Sequence, residues 1–190
     1  MIPLGILAAA GGAVAAADSY DLLATEILTS SQSSIEFTSL NSTYGADYEH
    51  LQIRYTVRHA TSGGGVDFIM RLNSDSSTNY SWHLLYGNGS SVASISSASA
   101  SSMFVGQVPR SGETANGFQV GVIDVLDAFE TTKYSTIRTL TGRAQSGNII
   151  GLASGSWRNT DAITSVTLLG DSGDLAQYSR FSLYGIRKAA

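Results

Sequence analysis

The stretch "HLQIRYTVRH", residues 50–59, decides the fold class. Leu51, Ile53, Tyr55 and Val57 share one parity, while Gln52, Arg54, Thr56 and Arg58 share the other. A two-residue period of this kind belongs to a strand with one face in a core and one in water, the usual state of an antiparallel sheet.

Weaker versions of the pattern lie on both sides of it. "SSIEFTSL" alternates through Ile35 and Phe37 before shifting towards Leu40, and "VDFIMRLN" keeps Val66, Phe68, Met70 and Leu72 in step. "FQVGVIDVLDAF" places Phe118, Val120 and Val122 on one parity ahead of a denser apolar run. "SVTLLG" and "RFSLYGIRK" follow, the latter with Phe181, Leu183 and Gly185 on one face and Ser182, Tyr184 and Ile186 on the other. Between these runs stand "TSGGG", "NSDSSTN", "GNGSS", "PRSGETANG", "QSGN" and "GDSGD". Their Gly, Asn, Asp and Ser residues supply the positive φ angles and side-chain caps of turns. Roughly eight to ten strands at this spacing predict an all-β, antiparallel β-sandwich of jelly-roll type. The serine-rich run "SSVASISSASASSM" reads as a long loop or a weak edge strand.

Composition narrows the function classes. The chain has 190 residues, enough for one domain over 20–190 with a substantial core. It has no cysteine, which excludes disulfides, thiolate metal sites and cysteine nucleophiles. Charged residues make up 14% and the net charge is −4, so no basic face for nucleic acid is in view. The N-terminal "MIPLGILAAAGGAVAAADSY" is apolar but diluted by Ala and Gly. It lacks the roughly 20 strongly apolar residues of a spanning helix, so membrane insertion is not expected. Ala15, Ala16 and Ala17 before Asp18 suit a signal-peptide cleavage site, yet no Lys or Arg precedes Arg54 to form a charged leader. The segment 1–19 is therefore expected to be a docking arm, with Ile2, Leu4, Ile6 and Leu7 buried against protein.

Candidate chemistry is sparse. "GDSGD" resembles the nucleophile segment of trypsin-like serine proteases, but catalysis at Ser172 needs a base and an orienting acid, and the context of His50, His59 and His83 offers neither. Asn73, Asp75 and Ser77 faintly echo a calcium loop, without the glycine and glutamate an EF-hand requires. A loop with capping side chains is the expectation, and no metal or other cofactor is anticipated. "NYSWHLLYGNGS" aligns Tyr80, Trp82, Leu84 and Tyr86 on one parity. Such a row is core or subunit interface, or, if it faces outward beside Trp157 and Arg158, a stacking surface for a glycan. No coherent acid, base and nucleophile set emerges, so an enzyme is not expected.

Four segments taken together, "MIPLGILA", "HLQIRYTVRHA", "RLNSDSSTNYSWHLLYGNGSS" and "SRFSLYGIR", resemble small jelly-roll virion structural proteins of tailed bacteriophages, of the tail-fibre, minor-tail and head-decoration types. The resemblance implies a TNF-like jelly roll in a homotrimer, exposed on the virion, without cofactor, and attached to other virion proteins through residues 1–17. Host-surface glycan is the further partner it allows. The alternative is a secreted carbohydrate-binding β-sandwich module.

Overall fold

The computed structural model describes residues 19–63, 66–143 and 148–188. The arm positions Ile2, Leu4, Ile6 and Leu7 lie outside the described residues. The described chain forms β1 (Tyr20–Ile27), β2 (Ser34–Phe37), a short helix α1 (Leu40–Tyr44), β3 (Tyr48–Val57), β4 (Val66–Leu72), β5 (Tyr80–Gly87) and β6 (Val92–Ala100). It continues through β7 (Met103–Val108), β8 (Gln119–Leu126), β9 (Ser135–Arg143), β10 (Ile149–Trp157), β11 (Val166–Gly170) and β12 (Arg180–Arg187). Twelve strands exceed the eight to ten expected, because β1, β9 and β10 carry too many small or polar residues to stand out as apolar alternations.

All pairings are antiparallel. One sheet has eight strands in the order β1-β12-β3-β8-β9-β10-β5-β6, and the other has four in the order β2-β11-β4-β7. The inward parity of β3 packs against the smaller sheet as its alternation requires: Leu51, Ile53, Tyr55 and Val57 are buried. Tyr55 meets Phe68 of β4 edge to face at 5.1 Å, and Phe68 meets Phe181 of β12 at 6.1 Å, so aromatic rings bridge the two layers. The buried apolar side chains form one cluster drawn from both sheets.

β8 corrects the parity expected from its sequence. Gln119, Ile123 and Val125 point inward, whereas Val120 and Val122 lie on the outer face. The apolar rule fails here because two inward places have special duties. Gly121 leaves room for the Tyr55 ring: a Cβ there would lie 2.4 Å from the tyrosine Cζ. Gln119 is a fully buried polar residue whose role is described below.

Candidate functional site

The aromatic row on β5 faces the core. Tyr80 is fully buried, accepts from the Leu72 N–H at 2.9 Å, and has its phenol pushed up to about 12 by burial. Trp157 is also fully buried, and its indole N–H donates to Asp75 at 2.8 Å. Arg158 donates to the Ala98 and Thr78 carbonyls, both at 2.7 Å, tying β6 to the loop before β5. A glycan or subunit contact at Tyr80 and Trp157 is therefore corrected, since neither ring has a face in solvent, and the Arg158 guanidinium serves the fold. Trp82 is half-buried against Phe104 at 5.5 Å, and Tyr86 is partly exposed on the rim of a cleft.

The "NSDSST" loop is held by its own side chains. Asn73 and Ser74 both take left-handed φ angles, a conformation that asparagine tolerates well. The Asn73 Oδ1 accepts from the Thr164 N–H at 2.7 Å, and its amide donates to Ala162 at 3.0 Å. Burial would raise the Asp75 carboxyl, but donors from Trp157, Asn79 and Ser77 outweigh it and hold the group below the usual carboxylate range. Those donors occupy the oxygens that a cation would need. Trp157→Phe removes one donor and leaves a partly filled indole pocket, a loss of about 2 kcal/mol at neutral pH. The depressed group contributes stability above the unfolded aspartate value of about 3.9, lost as pH falls through its lower folded value. Urea unfolding should therefore show the gap between wild type and Trp157→Phe narrowing from pH 7 to pH 3, whereas a pH-independent gap would leave the indole bond without an electrostatic share.

His59 does approach Ser172, but through the main chain. Its Nδ1 accepts from the Thr61 N–H at 3.3 Å, which leaves Nε2–H to donate to the Ser172 carbonyl. The Ser172 hydroxyl turns instead to Asp171 at 3.4 Å, so this pair lacks the geometry of a base on a nucleophile. Glu49, His50 and Asp127 bring ligand atoms within 4.8 Å of one another. There the His50 Nδ1 already accepts the Asp127 N–H at 2.9 Å, and the Asp127 carboxylate pairs with Lys133 at 2.8 Å.

Three surface features remain after these assignments. First, the outer face of the eight-stranded sheet carries an apolar row. In register across four strands lie Leu85 of β5, Leu152 of β10, Leu140 of β9 and Val122 of β8. The three leucines are each about half exposed, at 52, 47 and 55%. Ile150, Val120 and Val92 extend the patch along the strands. The same face turns polar on the β3 side, where Arg54 lies over the Tyr20 and Tyr184 rings, and along β8 and β9, where Asp124 and Arg138 pair two residues from Val122 and Leu140.

Secondly, a cleft of 340 Å³ opens between the sheets. Leu84, Tyr86, Ile95, Phe104 and Ile149 make it mainly apolar, with Asp67 and Gln107 at its polar margin. Partial enclosure, with the Asp171 charge adding to it, pushes the Asp67 carboxyl above its ordinary range.

Thirdly, the sheet edges are unequally protected. β1 carries Asp21 and Glu26 and a register shift, and β2 is only four residues long. β7 is capped from inside the sandwich. Tyr55 and Thr139 donate to the Val105 carbonyl at 2.7 and 3.3 Å. With its oxygen turned towards the Thr141 hydroxyl and the Gln107 N–H, the orientation that satisfies its neighbours, the Gln119 amide donates to the Gln107 carbonyl and accepts from its N–H, both at 3.2 Å, as the peptide of a neighbouring strand would. β6 is less protected: it is nine residues long, uncharged and free of proline, its register shift lies at the far end between Ser97 and Ala100, and it pairs with β5 in unbroken register over Val92–Ser97. Sequence alone hinted at the first feature through "HLLY" and "NIIGLA", where apolar residues occupy both parities. It gave no hint of the capped edge, which depends on Gln119 being buried.

No protein-family model, curated protein or solved structure matches the chain. Function must therefore be argued from the sheets and their uncovered surfaces.

Proposed function

We propose that the chain is a structural module of a bacteriophage virion: a TNF-like jelly roll that assembles as a homotrimer on the particle surface. It serves as a tail-fibre, adsorption or capsid-decoration component, and its apolar arm, residues 1–17, contacts a neighbouring virion protein. The observation that carries the self-assembling part is the apolar row Leu85, Leu152, Leu140 and Val122 on the outer sheet face. Contiguous exposed apolar patches of this kind are uncommon on monomers and mark association surfaces. β5, β6 and β10 hold no Asp, Glu, Lys or Arg, and the charges beside the row on β8 and β9, Asp124 and Arg138, pair with each other at 2.8 Å, so covering the patch strands no unpaired charge. The resemblance of the four sequence segments to phage virion proteins supplies the setting.

The alternative, a secreted carbohydrate-binding module, loses Tyr80, Trp157 and Arg158 to the interior and to backbone contacts, and keeps only Trp82 and Tyr86 of its expected surface. Light scattering on a sizing column tests the choice. The expected mass is three times the 19.9 kDa chain; a monomer at micromolar concentration would overturn the assembly reading and bring glycan-array screening forward.

A further inference from the structure

We infer that the open edge of β6 is a strand-addition site, and that its occupant is the arm around residues 2–7 of a second copy of this chain. The inference rests on the reading of the protein as a self-assembling module, and it names the neighbour that the arm contacts.

Three observations converge on it. An unprotected edge presents a row of main-chain donors and acceptors, and folded proteins usually blunt such rows. Of the four sheet edges here, β1 is charged and bulged, β2 is short and β7 is capped by Tyr55 and Gln119. Among the described residues, β6 is the edge that stays open, over Val92–Ser97, beyond which its register shifts and Arg158 takes the Ala98 carbonyl. The second observation is the cleft beside that edge. Ile95 of β6 forms part of its lining, together with Tyr86, Leu84 and Phe104. A strand added to β6 would send alternate side chains towards this apolar hollow and the others to the outer face. Peptide recognition by strand addition works in that way, with main-chain bonds supplying affinity and alternate pockets supplying specificity.

The third is the arm's own pattern. Ile2, Leu4 and Ile6 recur at period two, with Pro3, Gly5 and Leu7 on the opposite parity; Pro3 lacks an N–H to donate, as suits the outer edge of an added strand, and the segment carries no charged side chain. The parity of Ile2, Leu4 and Ile6 matches the cleft, and Gly5 and Leu7 would lie on the Ser94 and Ser96 side of β6, where those serines sit opposite Leu85 and His83.

A copy of the chain other than its own is favoured by where the arm is attached. It leads into β1, which is the opposite edge of the same sheet from β6. Seven strand spacings separate the two, roughly 33 Å at ~4.8 Å per strand. An arm reaching its own β6 would have to cross the whole sheet, whereas reaching the next copy joins edge to edge. Head-to-tail contacts of this type close into a ring where the rotation between copies allows it, and a ring of three would satisfy every arm and every edge.

The chain has no cysteine, so cross-linking in the full-length protein is free of background. Gly5→Cys is combined in turn with Ser94→Cys and Ser96→Cys, on the same side of the added strand, and with Ile95→Cys, on the other. The expected result on a non-reducing gel is disulfide-linked dimers and trimers for one or both serine variants, with little for Ile95→Cys. Hydrogen exchange provides a readout independent of register. In the full-length protein, the Val92–Ser97 amides that point away from β5 should be protected at least 100-fold, and Leu4→Asp with Ile6→Asp should remove that protection. A disulfide confined within single chains would overturn assignment to a second copy. Absence of cross-links together with unprotected β6 amides would overturn the strand-addition site itself. If the protein is trimeric by light scattering under either negative result, the assembly reading stands and only this inference falls.

Discussion

Tyr55→Ala is expected to destabilise the protein by about 3–5 kcal/mol, measured by urea unfolding, the range for removing a large buried aromatic side chain. The residue is 4% exposed and does three things at once. Its ring fills the space over Gly121, its edge-to-face contact with Phe68 links the sheets, and its hydroxyl closes the Val105 carbonyl on the β7 edge. Tyr55→Phe keeps the first two roles and should cost only about 1–2 kcal/mol, because the Thr139 hydroxyl still reaches Val105. Gly121→Ala in the wild-type background forces the ring to move and should cost about 1–3 kcal/mol. In the Tyr55→Ala background the added methyl enters the vacated space, so the two changes should be strongly non-additive. Additive losses would mean that ring and glycine do not meet in solution.

The same burial gives an alkaline limit. Burial raises both the Tyr55 and Tyr80 phenols, Tyr80 to about 12, above an ordinary value near 10. An unfolded chain loses those protons first. Stability from the neutral phenols is thus present below about pH 10 and is lost as pH rises from there towards the folded values.

Tyr55 also shows where the sequence was readable. Its strand could be assigned because from Leu51 to Val57 every inward residue of β3 is apolar and every outward one polar, and burial follows that pattern; at Tyr48, beyond a register shift, the parity breaks. β8 misled because parity was judged by hydrophobicity alone: the inward places at 119 and 121 hold a glutamine and a glycine, while valines occupy 120 and 122. Both exceptions arise from contacts with distant residues, Gln119 with β7 and Gly121 with Tyr55, and no local pattern encodes them. Tyr80 is lost as a surface contact for a related reason. Period two shows that Tyr80, Trp82 and Tyr86 share a face, but not which face the second sheet will cover. The outer leucines were masked in turn because apolar residues on both parities of β5 and β10 suggest a strand buried on both sides. In one sense that suggestion survives, if a second copy covers the outer face.

That possibility sets the other large expected effect. Leu140→Glu with Leu152→Glu should convert the assembly to monomers while leaving the sandwich intact. Leu140 and Leu152 are directly paired across β9 and β10, at the middle of the apolar row, and both side chains point away from the core. Burying each leucine contributes about 1.5–3 kcal/mol. Losing both, and confronting like charges from neighbouring subunits, should weaken association by roughly a thousandfold or more per subunit, since every 1.4 kcal/mol is about a factor of ten. Circular dichroism should remain that of the folded sandwich, and the loss in urea should stay at about 1–2 kcal/mol, because the side chains lie outside the core and the cost is limited to the lost cross-strand contact and the two facing carboxylates. Thr136→Glu provides the control. It lies on the same outward face of β9, four residues from Leu140 and outside the row, and it should leave the assembled mass unchanged. A double variant that keeps the wild-type mass at equal concentration would show that subunits meet elsewhere. It would leave the apolar row without the partner that its continuity across four strands and its exposure both require.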